Sequence, residues 1–185
     1  MNLETYNSIP NITEANNHFV YSPDGIVWKT ITLPEGSYEL VQINIEIQRQ
    51  LQANGDWNSN KKTHYITVGA NPSTLRTFIE IDNTVYQVNM ALSTIRTTLG
   101  FHPQTLTGGY HEGKNPVNIL TVSSIFVNCE IISGSFLSGS QQPVVYSYFP
   151  NVSPGYKIVE SPNNLVYLPI SQTGNISRMR VWLTD

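Results

Sequence analysis

The chain has 185 residues, enough for one domain with a full hydrophobic core and too few for two domains of ordinary size. Charged residues make up only 12% of it and the formal net charge is −3, so the chain lacks the basic surface that neutralises nucleic-acid phosphates. With 39% hydrophobic residues it is also more apolar than a disordered tail. The composition therefore predicts a folded protein that binds no nucleic acid.

A single cysteine, Cys129, excludes an intrachain disulfide framework and a thiolate zinc site. No segment approaches the run of about 18 apolar residues that a membrane helix needs. The N-terminus lacks the basic and then apolar order of a signal peptide. We therefore expect synthesis inside the cell, no signal peptide and no membrane insertion.

Residue usage favours strands. Val, Ile and Thr total 50 residues, whereas Ala and Leu total 17, and β-branched side chains pack well on pleated sheets. After a polar N-terminal arm (1–17), turn residues such as those at 22–25, 71–73 and 161–164 separate short apolar segments. The predicted strands are 18–21, 26–33, 63–69, 75–81, 119–132, 144–149, 156–159, 165–170 and 177–184.

Two segments interrupt the strand pattern. Leu40, Ile43, Ile47 and Leu51 follow helical spacing, although Val41, Ile43, Ile45 and Ile47 also alternate as in a strand. Ser37 as N-cap and Asn54-Gly55 as a stop favour the helix. A second helical stripe spans 88–99 and ends at Gly100, while 54–62, 102–116 and 134–142 are predicted loops.

The sequence offers little reactive chemistry. His102, His111 and Glu112 share the predicted loop 102–116, but a zinc site needs three or four ligands in fixed geometry, so they are interpreted as loop residues. Cys129 is interpreted as a small core residue, and Glu80 and Asp82 as the solvent face of an edge strand. No phosphate loop or serine-nucleophile motif is present. The sequence therefore predicts no enzyme, no metal, no cofactor and no catalytic residue.

One group of aromatic residues is a candidate binding surface. Tyrosine is enriched at protein interfaces and sugar-binding surfaces, but it also packs the core of a β-sandwich, and both interpretations stay open. The candidates are Tyr146, Tyr148, Phe149, Tyr156 and Tyr167. The scarcity of charge favours self-assembly, because charged residues are depleted in interfaces and neutral surfaces pack together without like-charge repulsion.

Four segments, taken in order, resemble one family. Residues 28–40 (WKTITLPEGSYEL) resemble its opening segment, Ile43-Asn44-Ile45-Glu46-Ile47 its helix, Leu99-Gly100-Phe101 its central "LGF", and 176–185 its closing strand. Together they resemble the penton-type and minor capsid proteins of Polinton/Maverick-like elements, adintoviruses and virophages. The resemblance covers about residues 20 to 185.

This resemblance implies an all-β fold, a single jelly-roll β-sandwich with one or two short inserted helices. It also implies an N-terminal arm over 1–17 and a jelly-roll domain over 18–185, without the final strand that follows Thr-Asp in such relatives. The implied function is a structural capsid subunit in the virion, a homopentamer at icosahedral vertices that contacts the major capsid protein. The alternative is a spike-like or lectin-like β-sandwich that binds a receptor or a glycan through its loops.

Overall fold

Short antiparallel strands make up most of the regular structure in the computed structural model, which describes residues 3–119, 122, 124–133, 135–137, 139–152, 155–162, 166–171 and 174–185. The strands are β1 (Leu3–Tyr6), β2 (His18–Ser22), β3 (Lys29–Thr32), β4 (Ile66–Asn71), β5 (Arg76–Ile81), β6 (Gln87–Asn89), β7 (Thr105–Leu106), β8 (Gly109–Pro116), β9 (Ile125–Cys129), β10 (Phe136–Leu137), β11 (Ser140–Gln141), β12 (Val144–Tyr148), β13 (Lys157–Glu160) and β14 (Val181–Thr184). They are joined by one described α-helix, α1 (Leu40–Ala53), and a 3-10 turn (Thr94–Arg96). The predicted all-β fold is confirmed.

The chain forms two compact units. The helix unit is Ile9–Thr121, and the terminal unit joins Met1–Ser8 to Val122–Asp185. The division expected from the sequence, an arm over 1–17 and one jelly-roll domain over 18–185, stays a prediction. Within the described residues, no helix has the length and apolar character needed to cross a membrane.

Two sheets and α1 supply the core of the helix unit. One sheet has the strand order β3-β2-β6-β7 and the other β4-β5-β8. The register places apolar residues opposite one another, with Phe19 opposite Ile31 and Val68 opposite Ile79, and these pairs are buried in the core. The fully buried residues of this core include Phe19, Tyr21, Ile31, Ile43, Ile47, Leu51, Ile66, Ile79, Val88 and Ile95.

The helix predicted from spacing is confirmed, and the alternative strand pattern is not. The four residues at helical spacing, Leu40 to Leu51, are all buried, whereas Val41 and Ile45 face solvent. Its N-cap is Glu39 rather than Ser37: the Glu39 N–H donates to the Gln42 side chain at 2.9 Å, while the Ser37 hydroxyl donates to the carbonyl of Ile9. The helix ends at Ala53 with Asn54 as its C-cap, in agreement with the stop predicted at Asn54-Gly55.

The helix predicted over 88–99 is wrong. Val88 belongs to β6 and pairs with Tyr21 of β2 and Leu106 of β7. The Asn89 side chain then accepts hydrogen bonds from the N–H groups of Ala91 and Leu92, at 2.9 and 3.1 Å, and turns the chain away from the sheet. Only the short 3-10 turn follows, because sheet pairing and the asparagine turn override the helical spacing.

The long loop predicted over 102–116 is also wrong. Most of it is β8, an eight-residue strand that pairs with β5, and β7 precedes it. Its centre lies close to the segment at Gly100, since the Asn115 N–H donates to the Gly100 carbonyl at 3.0 Å and a Cβ added at Gly113 would lie 3.0 Å from the Leu99 carbonyl oxygen. Gly113 therefore permits a close approach of the β8 backbone to this segment.

In the terminal unit, β9 is the central strand of a three-stranded sheet with the order β12-β9-β14. Ile125, Val127 and Cys129 alternate along β9 on its buried face, which confirms the core predicted within 119–132; residues 120, 121 and 123 of that prediction lie outside the described residues. The same unit contains two two-stranded sheets, β1-β13 and β10-β11, the second of which lies in the predicted loop 134–142.

The expected N-terminal arm is more ordered than its polar sequence predicts. Leu3–Tyr6 forms β1 and pairs with β13 in the terminal unit. In the helix unit, the buried Asn11 side chain donates to the carbonyls of Tyr38 and Ile119 at 2.7 and 2.9 Å. A polar stretch is ordered here because its amide side chains satisfy backbone groups of distant segments.

Other predicted strands are shorter in the structure. In 26–33, only Lys29–Thr32 is a strand, because Asp24 accepts hydrogen bonds from the N–H groups of Ile26 and Val27 at 2.8 Å and forms a turn. In 165–170, residue 165 lies outside the described residues and the described remainder has a single bridge, between Ile170 and Ile132. Residues 163–164 of the predicted turn also lie outside the described residues.

Candidate functional site

The five aromatic residues predicted as an interface all lie in the terminal unit, in two different settings. Phe149, Tyr156 and Tyr167 are exposed, and the Tyr167 side chain reaches 90% of its full exposure. They lie after β12, before β13 and in the stretch 166–171. We call these three residues the exposed aromatic set, which is available for contact with another molecule.

The other two aromatic residues pack within the terminal unit. Tyr148 lies opposite Ile125 and is buried, which raises the pKa of its phenol. Tyr146 lies opposite Val127, and its hydroxyl donates to Glu160 at 3.1 Å; desolvation and then this hydrogen bond raise the pKa of Tyr146. The two rings lie 6.3 Å apart and nearly parallel. Core packing therefore accounts for Tyr148, whereas Tyr146 is half-buried and partly open to solvent.

The sequence did not indicate that a group of large aliphatic side chains in the terminal unit would be exposed. They were assigned to strands over 165–170 and 176–185, whereas only Val181 and Leu183 lie in a strand, β14, and the described chain before it is largely irregular. A soluble domain rarely leaves so many large apolar side chains uncovered along one run of chain unless they meet another surface. The exposed residues are Val166, Ile170, Ile176, Met179, Val181 and Leu183.

The sequence predicted that His102, His111 and Glu112 are loop residues and do not form a metal site. In the structure the three side chains have different surroundings. His102 is exposed, the His111 ring contacts the Thr107 carbonyl, and Glu112 accepts hydrogen bonds from Asn71 and Thr74 at 2.8 and 2.7 Å. Among the described residues, no group of three or more His, Cys, Asp or Glu residues is placed to hold a metal ion. Glu112 instead fastens the β4–β5 hairpin to β8.

The structure also places Cys129, Glu80 on β5 and Asp82, the residue after β5. Cys129 is a free, buried thiol on β9. Glu80 lies on β5 opposite Tyr110 of β8, so β5 is a central strand and not the edge strand expected from the sequence. Glu80 and Asp82 nevertheless face solvent, as predicted.

A polar cluster around the buried residues Tyr21 and Asp56 of the helix unit was not predicted. The Tyr21 hydroxyl donates to Asp56 Oδ2 at 2.6 Å, the Lys29 ammonium donates to the same oxygen at 2.7 Å, and the Asn54 side chain donates to the Tyr21 oxygen at 3.0 Å. Burial and the bond to Asp56 raise the pKa of Tyr21, and burial followed by the Asp56 charge raises the pKa of Tyr86 to about 12. Each charge has a partner, so the cluster fastens β2, β3 and the end of α1 together.

We expect Tyr21→Phe to lower the free energy of unfolding by about 1–3 kcal/mol, because it removes the hydrogen bonds that the Tyr21 hydroxyl makes with the Asp56 carboxylate and the Asn54 side chain. Tyr38→Phe is the matched control: its hydroxyl donates to the Pro34 carbonyl at an exposed site, so its loss should cost less than about 0.5 kcal/mol. Denaturant unfolding of both variants measures the difference. Equal effects would contradict a stabilising role for the cluster.

No protein-family model matches the chain, and no curated protein matches it. The fold by itself defines a protein of mostly antiparallel β-structure with one described helix. Among solved structures, the chain is similar to the selenomethionine-labelled mavirus penton protein, with 12% sequence identity and a TM-score of 0.46. The similarity covers 99% of this chain and 82% of that one. The predicted resemblance to a penton protein is confirmed as a likeness.

Proposed function

We propose that the protein is a penton-like structural subunit of a viral capsid, which assembles with copies of itself. The observation that carries the proposal is the exposure of large apolar side chains in the terminal unit of a chain with only 12% charged residues. Burial of apolar surface drives protein association, and few charged groups would have to be desolvated. The exposed aromatic set is the proposed contact surface.

The four sequence segments that resemble penton-type proteins support the capsid role. In this proposal residues 18–185 form a single jelly roll, five copies close into a ring at each icosahedral vertex, and the ring contacts the major capsid protein in the virion. A head-to-tail contact that closes by rotation gives such a ring. The proposal gives the chain no catalytic function.

The test is the mass and shape of the purified chain. Mass photometry and negative-stain class averages are expected to reveal rings of five copies. Tyr167→Asp should weaken assembly at least tenfold without a change in thermal unfolding, because it places a charge at an exposed side chain in the proposed contact. Val41→Asp is the matched control, since Val41 is an exposed apolar residue of α1, outside the proposed surface.

A chain that stays monomeric at high concentration would contradict the proposal. Equal weakening by Tyr167→Asp and Val41→Asp would contradict the choice of surface. Clear binding of the monomer on a glycan array, without rings, would favour the alternative of a glycan-binding module.

A further inference from the structure

The strand β14 has one free edge within the described residues. It pairs with β9 on one side, and no other described strand pairs with its other side. The Glu130 N–H donates to the Arg180 carbonyl at 3.1 Å, and the Cys129 N–H donates to Pro143 at 2.8 Å, away from β14. Because peptide groups alternate along an antiparallel strand, the N–H and C=O groups of Val181 and Leu183 point to the free edge.

The side chains of β14 continue an apolar face that lacks a cover. Val181 lies opposite Cys129 and Leu183 opposite Val127, so each pair shares one face of the sheet. Cys129 and Val127 are 5% and 1% exposed, whereas Val181 and Leu183 are 51% and 42% exposed. This face of the sheet is therefore buried at β9 but exposed to solvent at β14. It lies beside the edge of β14 that pairs with no described strand.

We propose that this edge pairs with β14 of a second copy of the chain, antiparallel, about a two-fold axis at Trp182. In this register Val181 of each copy lies opposite Leu183 of the other. Their outward peptide groups form the hydrogen-bonded pair, and their side chains extend the apolar face across the join. The register thus satisfies the free backbone groups and pairs apolar with apolar residues at once.

Charge favours a second copy as the occupant. The outward positions Val181 and Leu183 carry no charge, so the edge lacks the lysines that usually prevent such pairing. In the proposed register no like charges lie opposite one another, because Arg180 lies opposite Thr184 and Asp185 lies opposite Met179. The two-fold axis repeats these pairs, so β14 complements itself. The pairing goes beyond the proposed ring and does not depend on it.

Disulfide trapping tests the register. Trp182 lies opposite itself in a non-hydrogen-bonded pair, where Cα atoms are about 4.5 Å apart and a disulfide can form. In a Cys129→Ala background, Trp182→Cys should give linked dimers under mild oxidation. Thr184→Cys is the matched control, because four residues separate it from its counterpart by roughly 13 Å. No linked dimer with Trp182→Cys, or equal linkage by both variants, would overturn the proposal.

A second test leaves Cys129 in place. Val181→Pro removes only an N–H that points to the free edge, and proline is tolerated there. Sedimentation should give a dimer dissociation constant at least tenfold higher for Val181→Pro than for Val181→Thr, which keeps the donor. Equal association would overturn the pairing. Rings without linked Trp182→Cys dimers would overturn this inference alone, whereas linked dimers without rings would overturn the proposed function alone.

Discussion

Replacing Ile125 or Val127 with aspartate is expected to abolish folding of the terminal unit. Both residues lie on β9, the central strand of its main sheet, and Val127 is flanked by Tyr146 and Leu183 on the two neighbouring strands. A carboxylate buried there without a partner costs several kcal/mol, comparable with the 5–15 kcal/mol that stabilises a typical domain. The expected result is insoluble or non-cooperatively unfolding protein.

Ser147→Asp is the matched control for this prediction. Ser147 lies on β12, between Tyr146 and Tyr148 in the chain, but its side chain is exposed, so the same charge should change the free energy of unfolding by less than about 0.5 kcal/mol. Soluble yield and denaturant unfolding compare the variants. Cooperative unfolding of soluble Ile125→Asp would contradict the assignment of this core.

Gly100→Ala is expected to destabilise the helix unit by at least about 3 kcal/mol. Gly100 has a φ of +71°, which costs an L-residue roughly 1–2 kcal/mol. A Cβ there would also meet the carbonyl oxygen of Asn115 on β8, well inside van der Waals contact. Because that atom belongs to a paired strand, β8 would have to move.

Gly55→Ala separates the cost of the positive φ from the cost of the steric contact with β8. Gly55 has a similar φ of +77°, but an added Cβ would meet no atom within 4 Å, so only the conformational cost of about 1 kcal/mol is expected. Thermal or denaturant unfolding of both variants measures the difference. If Gly55→Ala were as damaging as Gly100→Ala, the close approach of β8 would not be the cause.

Much of the fold could be predicted from the sequence where local pattern and burial agree. The spacing of Leu40, Ile43, Ile47 and Leu51 defines a helix face, and that face is buried. The β-branched run around Ile125 and Val127 predicts a core strand, which the structure confirms. In both segments the local periodicity matches the element that tertiary packing requires.

Prediction failed where distant partners decide the conformation. Val88, Ile95 and Leu99 share a helical spacing, but pairing of Val88 with Tyr21 draws the first of them into a sheet. The polar segment 109–116, which contains glycines, forms a strand because it pairs with β5. Local sequence does not contain such long-range contacts, and they override intrinsic propensity.

The candidate site, too, could be predicted only in part from local sequence. The sequence singled out five aromatic residues, but only tertiary packing separated the buried Tyr148 from the exposed Tyr167, since the same residue type serves both a core and an interface. Neither the Tyr21–Asp56–Lys29 cluster nor the open edge of β14 had a local signal, because each depends on segments far apart in the chain.

By itself, the order of residues determined an all-β chain with few charges, a helical face at Leu40, Ile43, Ile47 and Leu51, and a core strand within 119–132, because composition and periodicity are local properties. Within the part of the chain that the structure describes, only the tertiary fold decided which apolar side chains of the terminal unit are exposed and which strand has an edge without a partner strand. Those features depend on strand order, and strand order depends on contacts between residues tens of positions apart.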